Sequence, residues 1–208
     1  MKNLLFKKLI SSTMAALVLF PTMGNRVAAD PGPKTYKVVI VGDSGVGKTL
    51  IVNKVHFGDK VDTQSIEATI GADFFREPVG NHQLNIWDTA GLEMYRSISV
   101  AYAANSRIFV ITANLKQTSV KAIEEWLEIR RRNCPLAKVV FVINEYAPPC
   151  CSATDKFGSG EEVERGIRGL YENRGLGELN ICHVDLSKRG ACDQLLAKLG
   201  DLASQCAE

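Results

Sequence analysis

A chain of 208 residues, 46% of them hydrophobic, is long enough for one packed domain and too short for two domains of ordinary size. Its 25 basic and 23 acidic residues give a net charge of +2. Residues 1–29 hold four of the basic residues and no acidic ones, so the remainder has 21 against 23, a net charge of −2. A domain with this balance gives no electrostatic basis for nucleic-acid binding, which we exclude from the expected functions.

The first 29 residues have the pattern of a secretory signal peptide. A basic start precedes an apolar run from Met14 to Phe20, and small residues suit cleavage after Ala29. We therefore expect a secreted protein whose single domain spans residues 30–208. Pro21 leaves the apolar run well short of the ~20 residues of a spanning helix, and a transit peptide would contain more arginine. Retention of the segment as a membrane anchor is the alternative.

The rest of the chain alternates apolar, strand-like runs with amphipathic helical patterns. The runs are "TYKVVIVG", "LNIWDT", "RIFVIT", "AKVVFVIN" and "LNICHV", and helices are predicted over 48–57, 94–104, 118–133, 161–173 and 191–205. This alternation predicts a mostly parallel sheet with helices on both faces. The short turn "VGNH", residues 79–82, predicts a hairpin and hence one antiparallel edge strand. Residues 147–160 are expected to form one long irregular loop.

The stretch "GDSGVGKT" lies between the first predicted strand and the first predicted helix. It fits the pattern G-x-x-x-x-G-K-[ST] of a phosphate-binding loop, in which glycines let backbone N–H groups surround oxyanions. Lys48 is expected to face the outer phosphates, and the hydroxyl of Thr49 to bind Mg²⁺. The predicted phosphate-contacting residues are Gly42, Asp43, Ser44, Gly45, Val46, Gly47, Lys48 and Thr49.

A second motif, "WDTAG", stands at the end of another predicted strand. Asp88 is at the position where a carboxylate can hold magnesium, directly or through water, and the N–H of Gly91 is expected to face a terminal phosphate. D-T-A-G by itself is a modest signal. Combined with the phosphate loop and the intervening hairpin, it predicts a nucleotide site.

The chain resembles a Ras-like small GTPase, with closest similarity to the Rab branch, in the segments "GDSGVGKT", "TIGADFF", "LNIWDTAGLEMYRSIS" and "AYAANSRIFVIT". The resemblance implies the three-layer P-loop fold, with six strands and five helices, and GTP or GDP as ligand. It also implies that Thr69 joins Thr49 and Asp88 around Mg²⁺. Two switch loops, residues 63–75 and 88–99, are expected to meet a protein partner, and the protein is expected to be a monomer.

Leu92 departs from the family pattern, because it stands where these proteins place the glutamine that orients the attacking water. Leucine has no hydrogen-bonding group with which to align water. We therefore assign no catalytic residue, and expect hydrolysis to be weak or absent if a triphosphate binds. Whether the protein is an enzyme stays open at this point.

The base-recognition motif departs further. Where the family has N-K-x-D, this chain keeps Asn144 but has Glu145 for the lysine and Ala147 for the aspartate that reads guanine. Asp62 replaces an aromatic residue that stacks on the base, a contact worth roughly 1–3 kcal/mol at comparable sites. Of the last family element, Ser187 and Lys188 remain as predicted ligand-binding residues. Specificity for guanine is therefore doubtful.

Two further features bear on localisation and cysteine chemistry. The chain ends "SQCAE", which does not meet the prenylation pattern C-a-a-X, so no C-terminal lipid anchor is predicted. Six cysteines in an exported chain permit disulfides, but their spacing demands none and contains no paired C-x-x-C metal units.

Three functions remain open from the sequence. The first is an exported nucleotide-binding protein with little hydrolysis that presents a triphosphate-like switch surface, for instance as an effector mimicking a host GTPase. The second is a working GTPase in which another residue orients water. The third is an interaction module that binds no nucleotide, motivated by the losses at the base end. The complete phosphate loop favours the first function over the third, and we place the second last.

Overall fold

The computed structural model describes residues 32–62, 66–114, 118–146, 160–174 and 178–206. The strands are β1 (Lys34–Val41), β2 (Ala72–Val79), β3 (His82–Thr89), β4 (Ile108–Asn114), β5 (Lys138–Asn144) and β6 (Ile181–Val184). The helices are α1 (Lys48–Phe57), α2 (Arg96–Ala103), α3 (Val120–Asn133), α4 (Gly160–Arg174) and α5 (Asp193–Gln205), with 3-10 turns at Gly58–Lys60 and Glu93–Tyr95. The predicted signal peptide lies outside the described residues.

The six strands form one sheet in the order β2-β3-β1-β4-β5-β6. Only β2 runs antiparallel to its neighbour, β3, to which the two-residue turn Gly80-Asn81 joins it. The predicted architecture, a mostly parallel sheet with one antiparallel edge strand, is confirmed. In the central register Val38 of β1 lies between Ile86 of β3 and Ile108 of β4.

Two apolar clusters, one on each face of the sheet, make the fold three-layered. Val38 and Ile40 of β1 belong to the cluster that α1 and α5 cover. Val39 and Val41 belong to the other, which α2, α3 and α4 cover. Because successive side chains of a strand point to opposite faces, a strand covered on both faces must be apolar at every position. This is why the continuous valine-rich runs correctly predicted strands.

The helix limits differ from the predicted ones at six ends, by one or two residues each: α2 and α4 differ at both ends, α3 and α5 at their starts. The helix predicted over 94–104 begins at Arg96, because the 3-10 turn Glu93–Tyr95 precedes it, and ends at Ala103. The helix predicted from residue 118 begins at Val120, because the hydroxyl of Ser119 accepts a hydrogen bond from the backbone N–H of Ala122 (3.1 Å) and caps the first turn. The last helix begins at Asp193, two residues later than predicted.

Other sequence predictions fall partly outside the described chain. Of the irregular loop expected over residues 147–160, residues 147–159 lie outside the described residues, and residue 160 belongs to α4. Within the described part, Cys134, Cys182, Cys192 and Cys206 are free thiols. None of the helices described there combines the length and apolar character that crossing a bilayer requires.

Candidate functional site

The loop between β1 and α1 can form only with glycine at particular positions. Gly42, Gly45 and Gly47 have φ angles of 145°, 77° and 96°, in the region that disfavours side chains. A Cβ atom at Gly42 would collide with the backbone carbonyl of Thr112 in β4, and one at Gly47 would lie 2.5 Å from Nδ2 of Asn144 in β5. The loop therefore lies directly on the C-terminal parts of β4 and β5.

Lys48, the first residue of α1, points its ammonium group back into this loop. Its Nζ donates to the backbone carbonyls of Gly42 (2.9 Å) and Asp43 (2.8 Å), and the residue is only 5% exposed. Burial lowers the pKa of Lys48 to about 8, although Asp88 and Asp43 oppose the shift. A buried cation of this kind is stabilised by an anion. A Cβ at Gly91 would collide with the Nζ atom, so this glycine lets the following segment approach the ammonium.

Three oxygen-bearing side chains meet beside Lys48. The Thr49 hydroxyl donates to Oδ2 of Asp88 (2.6 Å) and lies 2.7 Å from the Thr69 hydroxyl, which donates to the same Oδ2 (3.2 Å). Asp88 is fully buried, and its Oδ1 has no hydrogen-bond partner among the described residues. Burial raises the pKa of Asp88 to about 6, the hydrogen bonds from Thr49 and the charge of Lys48 opposing the shift. Carboxylate and hydroxyl oxygens fit Mg²⁺, and the unpartnered Oδ1 is free to receive a cation.

Leu92 lies where the chain leaves this cluster. Its backbone is extended (φ −68°, ψ 136°) ahead of the 3-10 turn, and its side chain is 39% exposed. Ile70 and Met94 are also exposed apolar residues of the two predicted switch loops. The position therefore supplies apolar surface and no hydrogen-bonding group.

At the expected base side, Asn144, which was predicted to bind ligand, and Glu145, which replaces the family's lysine, are engaged within the protein. Asn144 is buried, donates through Nδ2 to the carbonyl of Val46 (3.0 Å) and accepts from the backbone N–H of Tyr146 (2.9 Å), so it secures the phosphate loop. The carboxylate of Glu145 lies 3.0 Å from Nδ1 of His183 in β6, and Ala147 lies outside the described residues. Asp62 is exposed after the 3-10 turn Gly58–Lys60.

Asp185, which the sequence analysis did not single out, holds the two remaining predicted base-side residues. Its Oδ1 accepts from the Ser187 hydroxyl (2.6 Å) and its Oδ2 lies 3.0 Å from Nζ of Lys188. Hydrogen bonds from both residues lower the pKa of Asp185 to about 2. The local signal was an aspartate two residues before a serine, a common turn pattern. Ser187 and Lys188 border an open cleft of about 350 Å³ that Lys54, Asp59, Val61, Tyr146, Leu186 and Arg189 also line.

Three aromatic rings pack in series beside the predicted switch loops. The ring centroids of Phe74 in β2 and Trp87 in β3 are 4.8 Å apart, and the indole stacks at the same distance on Tyr102 of α2. The strand register places Phe74 directly opposite Trp87. Of the three rings, Phe74 belongs to the first predicted switch loop, and it is 42% exposed.

Known proteins share the sequence pattern and the fold. A family profile described as "Ras of Complex, Roc, domain of DAPkinase" matches residues 37–147. Ras-related protein Rab-39A of Mus musculus is 30% identical over 141 residues, 62% of this chain and 63% of that protein. A probable Rab-related GTPase of Acanthamoeba polyphaga mimivirus is 34% identical over 52% of each chain. GTP-binding protein Rab-3D of Rattus norvegicus is 31% identical over 70% of this chain and 67% of its own length.

The matched part of this chain therefore spans about half to two thirds of these relatives. A solved structure with a similar fold is that of the small GTPase Arl6 BBS3 from Trypanosoma brucei, described with a bound nucleotide analogue, GppNp. It has a TM-score of 0.59 and 19% identity, and the alignment covers 81% of this chain and 98% of that chain. This likeness concerns the fold.

Proposed function

Because the chain belongs to the Ras-like family of small GTPases and has Rab proteins among its relatives, we propose that it binds a guanine nucleotide with Mg²⁺, hydrolyses it weakly or not at all, and presents its switch loops to a protein partner. The observation that carries the proposal is the convergence of Lys48, Thr49, Thr69 and Asp88 at the glycine loop.

The charges of this cluster support phosphate binding. The ammonium of Lys48 is buried and would gain an anionic partner from the outer phosphates, while Asp88 would gain a cationic partner from the metal. Mg²⁺, when bound, supplies the positive charge that offsets the phosphates. The hydroxyls of Thr49 and Thr69 offer two further oxygen ligands, one from α1 and one from the first switch loop.

The chemistry beside Gly91 supports slow turnover. A water molecule that attacks a terminal phosphate needs a hydrogen-bonding group to orient it, and the Leu92 side chain has none. The neighbouring Glu93 starts the 3-10 turn, and the family resemblance gives it no role in orienting water. The protein would then stay in its triphosphate-bound form once loaded.

The partner surface is supported by the exposed apolar residues of the two loops. Ile70 is 80% exposed and Met94 is 74% exposed, and Phe74 of the first loop is 42% exposed. Exposed apolar side chains of this kind are typical of protein-binding surfaces. With the predicted signal peptide, this surface fits an exported effector that mimics a host GTPase and is loaded in the recipient cytosol.

A nucleotide-free interaction module is the second candidate. It is favoured because charged side chains of the site already have partners within the protein. Lys48 donates to two backbone carbonyls, and Glu145 faces His183. The unpartnered, buried Oδ1 of Asp88 counts against it, because an unsatisfied buried carboxylate oxygen costs stability and a bound cation would relieve that cost.

The deciding experiment titrates labelled GTP, GDP, ATP and XTP with Mg²⁺ into residues 30–208, while product formation is followed in the same samples. We expect tight binding with negligible turnover, and loss of binding in Lys48→Ala, which removes the charge facing the outer phosphates. Lys138→Ala at the start of β5, the opposite end of the sheet, is the matched lysine control. No binding of any nucleotide would support the interaction module, and rapid turnover would support a working GTPase.

A further inference from the structure

Arg96, the first residue of α2, contacts groups from two other parts of the fold. Its NH1 donates to Oε2 of Glu125 in α3 at 2.6 Å, and its NH2 lies 3.8 Å from Oδ1 of Asp43 in the phosphate loop. The guanidinium also stacks on the indole of Trp126, with 5.2 Å between its carbon and the ring centroid. A planar guanidinium can hold two carboxylates and a ring at once, which an ammonium cannot.

Asp43 connects this group to the phosphate-facing lysine. Its Oδ1 accepts from the indole N–H of Trp126 (3.3 Å) as well as facing Arg96. Its backbone carbonyl accepts from Nζ of Lys48 (2.8 Å). One residue of the phosphate loop therefore touches Lys48 through its main chain and Arg96 through its side chain.

The segment that follows Asp88 packs against the same residue. A Cβ atom at Gly91 would lie 2.6 Å from the carbonyl oxygen of Asp43, so the two backbones are in close contact. Five residues after Gly91, Arg96 forms ion pairs with Asp43 and Glu125, which hold the far end of the segment 91–96. The buried hydroxyl of Ser99 in α2 donates to the carbonyl of Ala90 (3.0 Å), which holds the start of the same segment against α2.

We propose that Arg96 is a positioning residue that holds Gly91 against the phosphate loop and so makes the site prefer triphosphates to diphosphates. The inference rests on the proposed nucleotide binding. The Gly91 N–H is expected to face a terminal phosphate, which a diphosphate lacks. Fixing this N–H before the ligand arrives lowers the entropy cost of binding a triphosphate only. The contacts of Arg96 are partly exposed, so their effect on overall stability is small.

The test compares the full-length chain with Arg96→Gln, measuring the dissociation constants of a non-hydrolysable GTP analogue and of GDP with Mg²⁺. We expect the preference for the triphosphate to fall by about three- to tenfold while the affinity for GDP stays within about twofold. Arg96→Lys keeps the charge without the planar group and should restore only part of the preference. Arg131→Gln is the matched control, because Arg131 pairs with Glu128 on the exposed face of α3.

A second variant, Glu125→Gln, removes one of the two carboxylate contacts and leaves the one with Asp43. It should lower the preference less than Arg96→Gln does, and the double variant should lower it by less than the product of the two effects. The fluorescence of Trp126, measured in a Trp87→Phe background, reports whether the guanidinium over its ring has moved.

The outcomes separate the inference from the function on which it rests. An unchanged preference in both variants, with tight binding by the wild type, overturns the role of Arg96 and leaves the proposed function intact. An equal loss of affinity for the triphosphate and for GDP overturns the role of Arg96 as well. If the wild type binds no nucleotide, the proposed function fails first and this inference with it. If Arg96→Gln does not fold, Glu125→Gln decides.

Discussion

Leu92, 39% exposed beside Gly91, offers only methyl groups to a water molecule at the phosphate site. Replacing it by glutamine adds a group that can both donate to and accept from water. We expect Leu92→Gln to raise nucleotide hydrolysis at least about tenfold in single-turnover measurements. Leu136→Gln, at an 80% exposed position before β5, is the matched control. An unchanged rate in Leu92→Gln would mean that the catalytic arrangement is incomplete elsewhere too.

Asp88 makes the stability of the ligand-free protein depend on pH. Burial raises the pKa of its carboxyl from 3.8 to about 6. Between these values the folded chain binds the proton more tightly than the unfolded chain does, so the free energy of unfolding decreases as pH rises through this window. At pH 7 the ionised, buried carboxylate therefore costs stability, on the order of 3 kcal/mol.

Asp88→Asn removes that charge and should be more stable than the wild type at pH 7.5, with the difference disappearing near pH 4. Urea unfolding at both pH values, without nucleotide and with a chelator present, measures this. Asp193→Asn in the first turn of α5 serves as an exposed control. A stability difference of the same size at both pH values would contradict the raised pKa. Mg²⁺ should no longer stabilise the same variant, because the buried carboxylate that destabilises the ligand-free protein is the group proposed to bind the metal.

At the scale of elements, Gly166 lets α4 approach α3. A Cβ at this position would lie 2.5 Å from Cγ2 of Val120, a 41% exposed residue whose branched side chain has one strongly preferred rotamer in a helix. A Cβ at Gly169 on the same helix meets nothing within 4 Å. An ion pair between Arg174 and Glu124 (2.6 Å) also joins the two helices. The spacing of α3 and α4 therefore depends on one small residue.

Gly166→Ala and Gly169→Ala form a matched pair on α4. Both gain roughly 0.5–1 kcal/mol of helix propensity, but only the first introduces a clash, which costs typically about 1–3 kcal/mol. We expect Gly169→Ala to stabilise the protein and Gly166→Ala to destabilise it, by about 1 kcal/mol in each direction. Chemical unfolding of the two variants checks this. Equal stabilisation by both substitutions would show that the Val120 side chain moves aside at no cost in free energy.

The elements differ in how well their sequences predict them. The strands were predictable because burial on both faces leaves an uninterrupted apolar run, as in β1 and β5. The phosphate loop was predictable because its residues are contiguous. The contacts of Arg96 were not, because they join α2, α3 and the phosphate loop, and no local pattern indicates which helices meet. The position of Glu145 toward His183 likewise depends on how β5 and β6 pair.

For the molecule as a whole, nucleotide binding should appear as a gain in stability. A ligand that binds only the folded state stabilises it by about 2.7 kcal/mol when its concentration is 100 times the dissociation constant. For a domain of this size that corresponds to a rise in melting temperature of roughly 5–10 °C. We expect this rise with GTP and Mg²⁺, a smaller one with a chelator, and none in Lys48→Ala. A rise of the same size in Lys48→Ala would place the ligand somewhere other than the glycine loop.

The strand order separates the two halves of the proposed nucleotide site. The residues proposed to bind phosphate follow β1 and β3, those proposed to bind the base follow β5 and β6, and β4 lies between them. The bond from Asn144 to the carbonyl of Val46 joins the two sides. Mutations can therefore change the residues on the base side while those on the phosphate side stay the same. The same partition would let an engineer match the β5–β6 side to a synthetic base and obtain a switch that a cell's own nucleotides do not load.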